Sequence, residues 1–216
     1  MLDQQIVSPH IINAVKGFII FANNPSKTEA AFDIADGLRK TGLYKQFIEY
    51  AHSHASVSQI TQERYFSPIV NLDDLITYPK ESLGYCYAAH MKQLGLRPDF
   101  YRAIHIEDDY SYLAMRMRQT HDIWHTITGF GTDLVGEAKL QALTLAQMRS
   151  PLAAALMGAF LVHTMKSSAP LDPLIDGIWE GWCMGKVARP LIAQKWEEDW
   201  GKPLSEWRVY LEIVSA

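Results

Sequence analysis

Apolar residues in this chain recur mainly with the three- to four-residue spacing of an amphipathic helix, and few stretches alternate as strands do. The sequence has no internal repeat and no low-complexity linker. Its 216 residues are enough to bury one sizeable core. We therefore predict an all-α fold, a single multi-helix bundle domain over residues 1–216. The predicted helices cover residues 10–22, 26–40, 43–53, 58–65, 71–76, 82–94, 109–127, 133–148, 152–166, 172–195 and 203–212.

Composition and charge argue against several functional classes. The formal net charge of −4 provides no basic field for a phosphate backbone, so nucleic acid is not an expected partner. Cys86 and Cys183 are too few and too far apart for a disulfide framework, which indicates a reducing compartment. The longest uncharged run, residues 150–165, is shorter than the roughly 20 apolar residues that span a bilayer. With no secretory or Arg-rich transit signal visible, we expect a cytoplasmic protein, at most peripherally attached to a membrane.

The segment RQTHDIWHTITGFGTDLVGEAKL, residues 118–140, concentrates groups that can bind a metal ion. On a helix, His121, Asp122 and His125 would share an arc of roughly 100° and could converge on one point. Imidazole nitrogen and carboxylate oxygen are ligands of Zn²⁺ and other divalent ions. This part of the sequence therefore predicts one half of a metal site.

The second half of the predicted site follows a glycine-rich connection. Three glycines between residues 126 and 136 permit a reversal of chain direction. If Thr132 or Asp133 caps the next helix, Glu137 falls about one turn inside it and can face the histidines. The complete predicted ligand set is His121, Asp122, His125 and Glu137.

Two other interpretations of the same residues remain open. The histidines could be hydrogen-bonded residues of a core or a surface, with Asp122 solvated. The His-Asp doublet also occurs in HD-type phosphohydrolases, which need in addition an upstream His and a downstream Asp. His90, His105 and Asp172 are the candidates for those extra roles.

The spacing of the four residues resembles the signature of the Coq-four family of ubiquinone (coenzyme Q) biosynthesis proteins. That signature is H-D-x-x-H, then eleven residues, then Glu, as found here from His121 to Glu137. Upstream, YPKESLGYCYAAHMKQLGLRPD resembles the family's P-x-x-S-L-G segment and Pro-Asp loop. Downstream, WEGWCMGKVARPLIAQKWEEDWGKPLSEWRVYLEI resembles its C-terminal pattern. The sequence shows no mitochondrial leader, which indicates a bacterial-type member or a mature form.

The resemblance implies an α-helical fold with a metal site and a hydrophobic cavity for a prenyl lipid. It also implies a reaction, in which the carboxylate leaves ring carbon one of a polyprenylated hydroxybenzoate, coupled to oxidation there. The four ligands would then be catalytic, and the protein a metal-dependent decarboxylase, a lyase. The alternative is a non-catalytic, prenyl-lipid-binding scaffold that organises a quinone-biosynthesis complex.

Cofactor and partners follow from the same resemblance and from the ligand chemistry. Zn²⁺ is the first expectation, with Mg²⁺, Mn²⁺ or Fe²⁺ as alternatives. Four side chains around a tetrahedral zinc ion would leave no position for substrate. Either one carboxylate does not bind the ion directly, or the ion takes more than four ligands. The expected partners are a prenylated quinone precursor or other isoprenoid lipid, the membrane surface, other quinone-biosynthesis proteins and a second copy of the chain.

Two further segments bear on lipid and membrane binding. The run LAAALMGAFLVHTM, residues 152–165, contains small residues that let a prenyl chain approach a helix closely, although core packing explains the run equally well. The predicted lipid-binding residues are Ala155, Gly158, Ala159 and Phe160. His163, within this run, is predicted to be a hydrogen-bonded core residue.

The N-terminal helix IINAVKGFIIFA has more apolar residues than one buried stripe requires, which indicates either membrane docking or burial on most sides. Trp196 and Trp200 are predicted to pack in the protein.

Overall fold

The computed structural model describes residues 8–67, 69–99 and 104–213. These residues form eleven α-helices, two short 3₁₀ helices and one isolated β-bridge, with no strand among them. The predicted all-α fold is therefore confirmed. No helix within these ranges is both long and apolar enough to cross a membrane. The helices are α1 (Pro9–Asn23), α2 (Thr28–Arg39), α3 (Leu43–His52), α4 (Ala55–Glu63), α5 (Leu72–Leu75), α6 (Leu83–Leu94), α7 (Asp109–Thr128), α8 (Leu134–Met148), α9 (Pro151–Ser167), α10 (Asp172–Val187) and α11 (Leu204–Leu211).

Tertiary contacts divide the chain into two compact units. Unit 1 comprises residues 1–50 and 132–183, and unit 2 comprises residues 51–131 and 184–216. A single domain over residues 1–216 stays a prediction.

The core of unit 1 forms where α1, α2, α8 and α9 pack together. Phe21 of α1 and Phe160 of α9 pack with their ring centroids 5.4 Å apart. Helix α1 approaches α2 closely because position 17 is glycine, where a Cβ would lie 2.8 Å from the carbonyl oxygen of Ala30. Removing this apolar surface from water is the main favourable contribution to folding. The buried core residues are Phe21, Ala22, Ala30, Ile34, Ala138, Leu156, Ala159, Phe160 and Leu174.

Helix α10 approaches the backbone of α8 at a second glycine. A Cβ at Gly181 would lie 2.0 Å from the carbonyl oxygen of Lys139, a distance that no side chain can occupy. Beside this contact, the Nζ atom of Lys139 donates to Oε2 of Glu180 at 2.6 Å. Position 181 therefore tolerates only glycine at this separation of the two helices.

In unit 2, backbone hydrogen bonds connect the C-terminal segment to the start of α6. The Leu83 amide donates to the Lys202 carbonyl at 2.9 Å, and the Gly84 amide donates to the Trp200 carbonyl at 2.8 Å. The Trp200 ring stacks on Tyr87 of α6, with centroids 5.4 Å apart. Trp196 and Trp200 are both buried, which confirms their predicted packing role.

A buried ion pair fixes the middle of α7 in unit 2. The guanidinium of Arg116 is fully buried and donates to both carboxylate oxygens of Glu197, at 2.5 and 2.9 Å. It also donates to the backbone carbonyl of Gln194 at 2.6 Å. The bidentate pair and the carbonyl offset part of the cost of removing this charge from water, while Nε of Arg116 has no hydrogen-bond partner among the described residues.

The predicted helix over residues 172–195 is wrong after residue 187. Helix α10 ends at Val187, and two short 3₁₀ helices follow, Leu191–Ala193 and Trp196–Glu198. Pro190 lies between them and α10. Proline has no amide hydrogen to continue a helix, and it disfavours helical backbone at the preceding residue.

The exposed face of α1 is rich in branched apolar residues. Ile19 and Ile20 are exposed, whereas Phe21 is buried and Phe18 is half-buried. Ile11, Ile12 and Val15 extend the exposed face toward the start of the helix. The helix therefore buries one side in unit 1 and presents apolar side chains to solvent on another.

Candidate metal centre

Helix α7, which carries the H-D-x-x-H motif, has well-defined ends. At its start, the Asp108 side chain accepts from the Ser111 amide at 2.7 Å and the Ser111 hydroxyl accepts from the Asp108 amide at 2.9 Å, a capping box. At its end, Gly129 has φ +78°, a left-handed conformation that glycine adopts without strain. The motif therefore occupies the last two turns of a helix with both ends capped.

His125 is held in one tautomer by a backbone carbonyl. The ring is 2 % exposed, and Nδ1 lies 3.0 Å from the carbonyl oxygen of Phe130. A carbonyl only accepts hydrogen bonds, so Nδ1 carries a proton and donates. In the neutral ring Nε2 then carries no proton and offers a lone pair, as a metal-binding histidine requires. This lone pair lies 3.2 Å from Nε2 of His121, which is one turn earlier on α7.

Helix α8 begins where the sequence predicts. Asp133 caps it, with Oδ1 accepting from the amides of Val135 at 2.9 Å and Gly136 at 3.0 Å. Glu137 therefore falls in the first turn of α8. His121, His125 and Glu137 form one group, in which a ligand atom from each residue lies within 4.8 Å of the others.

The geometry of this group suits a divalent cation. Two nitrogens that bind one ion at ~2.1 Å with tetrahedral angles lie ~3.4 Å apart, close to the observed separation of the two Nε2 atoms. Two imidazoles and one carboxylate are also a donor set that zinc accepts in catalytic sites, where a fourth position stays open. The residues therefore fit the predicted cofactor.

Asp122, the fourth predicted ligand, is not a member of the group of three. Its side chain is half-buried, and its carboxylate, after burial itself, helps to raise the pKa of Tyr87 on α6. The pKa of His90, on the same helix as Tyr87, is lowered mainly by burial, and the Asp122 carboxylate opposes this shift. Asp122 therefore acts electrostatically toward α6, and its role as a ligand stays a prediction.

The extra residues that an HD-type phosphohydrolase would need are absent from the group. Within the described part of the chain, His90, His105 and Asp172 lie outside it. His163 is half-buried, and its Nδ1 lies 3.1 Å from the Ala22 carbonyl oxygen, so its predicted hydrogen bond is confirmed. The arrangement does not support the phosphohydrolase interpretation.

The predicted lipid-binding residues divide into two pairs. Ala159 and Phe160 are buried in the core of unit 1, so packing accounts for both. Ala155 and Gly158 are half-buried, and a Cβ at Gly158 would lie 3.6 Å from the ring of Phe18. The predicted cavity is not evident among the described residues, and lipid contact stays a prediction.

Sequence reasoning missed two features near the motif. Glu197, the ion-pair partner of Arg116, is 81 positions away along the chain, and no local sequence pattern predicts the pair. The sequence suggests His90 only as a phosphohydrolase residue, yet its Nε2 atom is buried without a hydrogen-bond partner among the described residues. Its position on the buried side of α6, three residues after Tyr87, is the signal that could have identified it.

Comparisons with known proteins agree with the motif. The sequence model of the family "Coenzyme Q (ubiquinone) biosynthesis protein Coq4" matches residues 39–216. A mitochondrial ubiquinone biosynthesis protein COQ4 of Zygosaccharomyces rouxii is 33% identical over 156 residues, 70% of this chain and 46% of that protein. A COQ4 homologue of Aedes aegypti is 29% identical over 67% of this chain and 53% of that protein. The chain thus spans about half the length of these curated relatives.

A solved structure resembles the whole fold. It is a crystal structure from Nostoc punctiforme, described as a ubiquinone biosynthesis protein, with 32% sequence identity and a TM-score of 0.85. The match covers 95% of this chain and 99% of that chain. This similarity and the family match over residues 39–216 identify the same family for the chain. The chain belongs to the Coq4 family of coenzyme Q (ubiquinone) biosynthesis proteins.

Proposed function

We propose that this protein binds a divalent metal ion and supports decarboxylation of a polyprenylated hydroxybenzoate in ubiquinone biosynthesis. The observation that carries the proposal is the group of His121, His125 and Glu137, whose ligand atoms lie within 4.8 Å of one another. With Asp122 outside the group, three protein ligands would leave a position for an oxygen of the substrate. Zn²⁺ is the preferred ion, and Mg²⁺, Mn²⁺ and Fe²⁺ are alternatives.

The side chains around the site have distinct tasks in this proposal. The carbonyl of Phe130 orients His125 and keeps its Nε2 atom available. His121 and Glu137 complete the ligand set, and Asp122 contributes negative charge beside it. When bound, the cation supplies a Lewis acid that stabilises negative charge developing on the aromatic acid.

The chemical balance of the step defines what must be measured. In a simple decarboxylation, the bond between ring carbon one and the carboxylate breaks, carbon dioxide leaves, and a proton takes its place on the ring. Hydroxylation at the same carbon needs dioxygen. Its second oxygen atom leaves as water, with two electrons from an added reductant, or both atoms leave as hydrogen peroxide and water supplies the hydroxyl. Assays with and without dioxygen therefore separate the two outcomes by product.

The decisive experiment measures metal content and carbon dioxide release from the same preparations. We expect wild-type protein purified without chelator to contain about one metal ion per chain and to release carbon dioxide from a prenylated hydroxybenzoate. Glu137→Gln should lose most of the metal and the turnover. His105→Ala, which removes an exposed histidine outside the group, should keep both.

The outcome also separates catalysis from scaffolding. A folded Glu137→Gln protein that retains full turnover would refute metal catalysis. Wild-type protein that binds metal and prenyl lipid without turnover would favour the scaffold alternative.

We propose that the prenyl chain contacts α9 at Ala155 and Gly158, because core packing already occupies Ala159 and Phe160.

We further propose that α1 docks the protein on a membrane surface, where the prenylated substrate resides. Its support is the exposed apolar face, with Val15 51% and Ile19 54% exposed. The double variant Val15→Glu/Ile19→Glu should sediment less with lipid vesicles. Val209→Glu places a charge at an apolar residue that is 79% exposed on α11 and should sediment as wild type does. Equal sedimentation of all three proteins would refute docking by α1.

A further inference from the structure

His90 has an unusual environment for a histidine that neither binds the proposed metal nor forms an observed hydrogen bond. Its Nε2 atom is buried and has no partner among the described residues. Buried polar atoms are nearly always hydrogen-bonded, and each exception calls for a reason, such as a ligand that completes the pairing. The neighbouring residues of α6 do not provide that reason, because Tyr87 and Met91 are buried aromatic and apolar side chains.

The position of His90 places it beside the motif in unit 2. Helix α6 packs on α7, and His90 follows Tyr87 by three residues, on adjoining faces of the helix. Burial lowers the pKa of His90, the electrostatic interaction with His125 lowers it further, and the Asp122 carboxylate raises it. His90 is therefore within electrostatic range of both residues.

We propose that His90, together with Asp122, recognises the ring hydroxyl of the aromatic acid that binds at the metal centre. This inference rests on the proposed function and adds the determinant of substrate specificity. A carboxylate such as Asp122 repels a second carboxylate, so the acid group of the ligand belongs on the side of His121 and His125. The ring hydroxyl then lies toward His90. A hydroxyl both donates and accepts, so it pairs with Nε2 in either tautomer of the imidazole.

The proposal predicts an opposition between stability and binding. Replacing a buried polar atom that has no partner by a hydrocarbon of similar shape removes an unfavourable burial. His90→Phe should therefore melt at the same temperature as the wild type or higher. A histidine needed only for packing or folding would give a lower melting temperature instead.

The test compares aromatic acids with and without a hydroxyl. The probes are benzoate, 3-hydroxybenzoate and 4-hydroxybenzoate, and their dissociation constants are measured by ligand-observed NMR with zinc-loaded full-length protein. We expect the wild type to prefer one hydroxybenzoate over benzoate by about tenfold, the ratio that one net hydrogen bond to a neutral hydroxyl supplies. His90→Phe and His90→Leu should bring the ratio close to one while benzoate affinity and zinc content stay unchanged. His90→Gln, which retains a hydrogen-bonding group, should restore part of the preference.

Several results would overturn this inference without affecting the proposed function. These are a wild type that binds zinc but none of the three acids, a wild type without preference, or an unchanged ratio in both His90→Phe and His90→Leu. Loss of zinc from either variant would also overturn it, since His90 would then support the metal. Wild-type protein that takes up no metal would instead refute the proposed function, and this is measured independently before any acid is added.

Discussion

The Nε2 atoms of His121 and His125 lie 3.2 Å apart on successive turns of α7. Because Nδ1 of His125 donates to the Phe130 carbonyl, Nε2 of the neutral His125 ring has no proton to donate. In the metal-free protein, the hydrogen bond between the two rings therefore has His121 as donor. A cation that takes both nitrogens must replace this proton.

Nitrogen-15 NMR of the histidine rings tests this assignment directly. In metal-free protein at pH 8 we expect the Nδ1–H tautomer for His125 and the Nε2–H tautomer for His121. Adding Zn²⁺ should remove the His121 Nε2 proton and leave the His125 Nδ1 proton in place. His163, whose Nδ1 lies 3.1 Å from the Ala22 carbonyl, serves as an internal reference that zinc should not alter. An Nε2 proton on His125 would contradict the hydrogen-bond assignment.

The buried pair of Arg116 and Glu197 should be strongly coupled in stability. Removing one partner leaves the other charge buried and unpaired, so Arg116→Met or Glu197→Leu should each lower the free energy of unfolding by ~3 kcal/mol or more. The double variant should lose much less than the sum of the two. Urea unfolding of the four proteins measures the coupling. Additive losses would show that the two side chains act independently.

Substituting Gly181 should disturb the contact between α10 and α8. The new Cβ of Gly181→Ala would lie 2.0 Å from the Lys139 carbonyl oxygen, which forces the helices apart. Overpacking of this kind lowers the free energy of unfolding by roughly 1–3 kcal/mol. Gly42→Ala is the matched control, because nothing lies within 4 Å of its Cβ position. Equal melting temperatures for the two variants would contradict the close contact between α10 and α8 at Gly181.

Tyr65 should make the protein sensitive to alkali. Burial raises the pKa of Tyr65 from 10.0 to about 12, and the charges of Glu197 and Glu198 contribute. Between these values the unfolded chain has lost the phenol proton and the folded protein still holds it. The stability that is present below pH 10 is therefore lost as the pH rises toward 12. Tyr65→Phe should lose less stability over this interval in urea titrations, and an identical decline in both proteins would refute the assignment.

The local features of the site could be read from the sequence. The spacing from His121 to Glu137 and the capping ability of Asp133 predict where the motif helix ends and where α8 starts. The N-cap at Asp133 is confirmed. Such predictions succeed because caps and helical register depend on residues that are neighbours along the chain.

Longer-range features could not be read in the same way. The error at the end of the predicted helix 172–195 is not of this kind, because Pro190 disfavours a helix for purely local reasons. The pairing of Arg116 with Glu197 depends on tertiary contacts that periodicity does not contain. For Ala159 and Phe160, the apolar pattern is the same whether a residue meets a lipid or the core, and only the packing of α1 against α9 shows the difference.

Glu197 lies far along the chain from the motif, but its carboxylate holds the guanidinium of Arg116, five positions before His121 on the same helix. The rigidity of the ligand-bearing turns thus depends in part on an acid outside the signature. In a genetic screen, a harmful change at Glu197 would resemble damage to the proposed metal centre. Its cause would instead be a less rigid helix α7. Stabilising solutes or low temperature should restore the function of such a variant, whereas they could not replace a missing metal ligand.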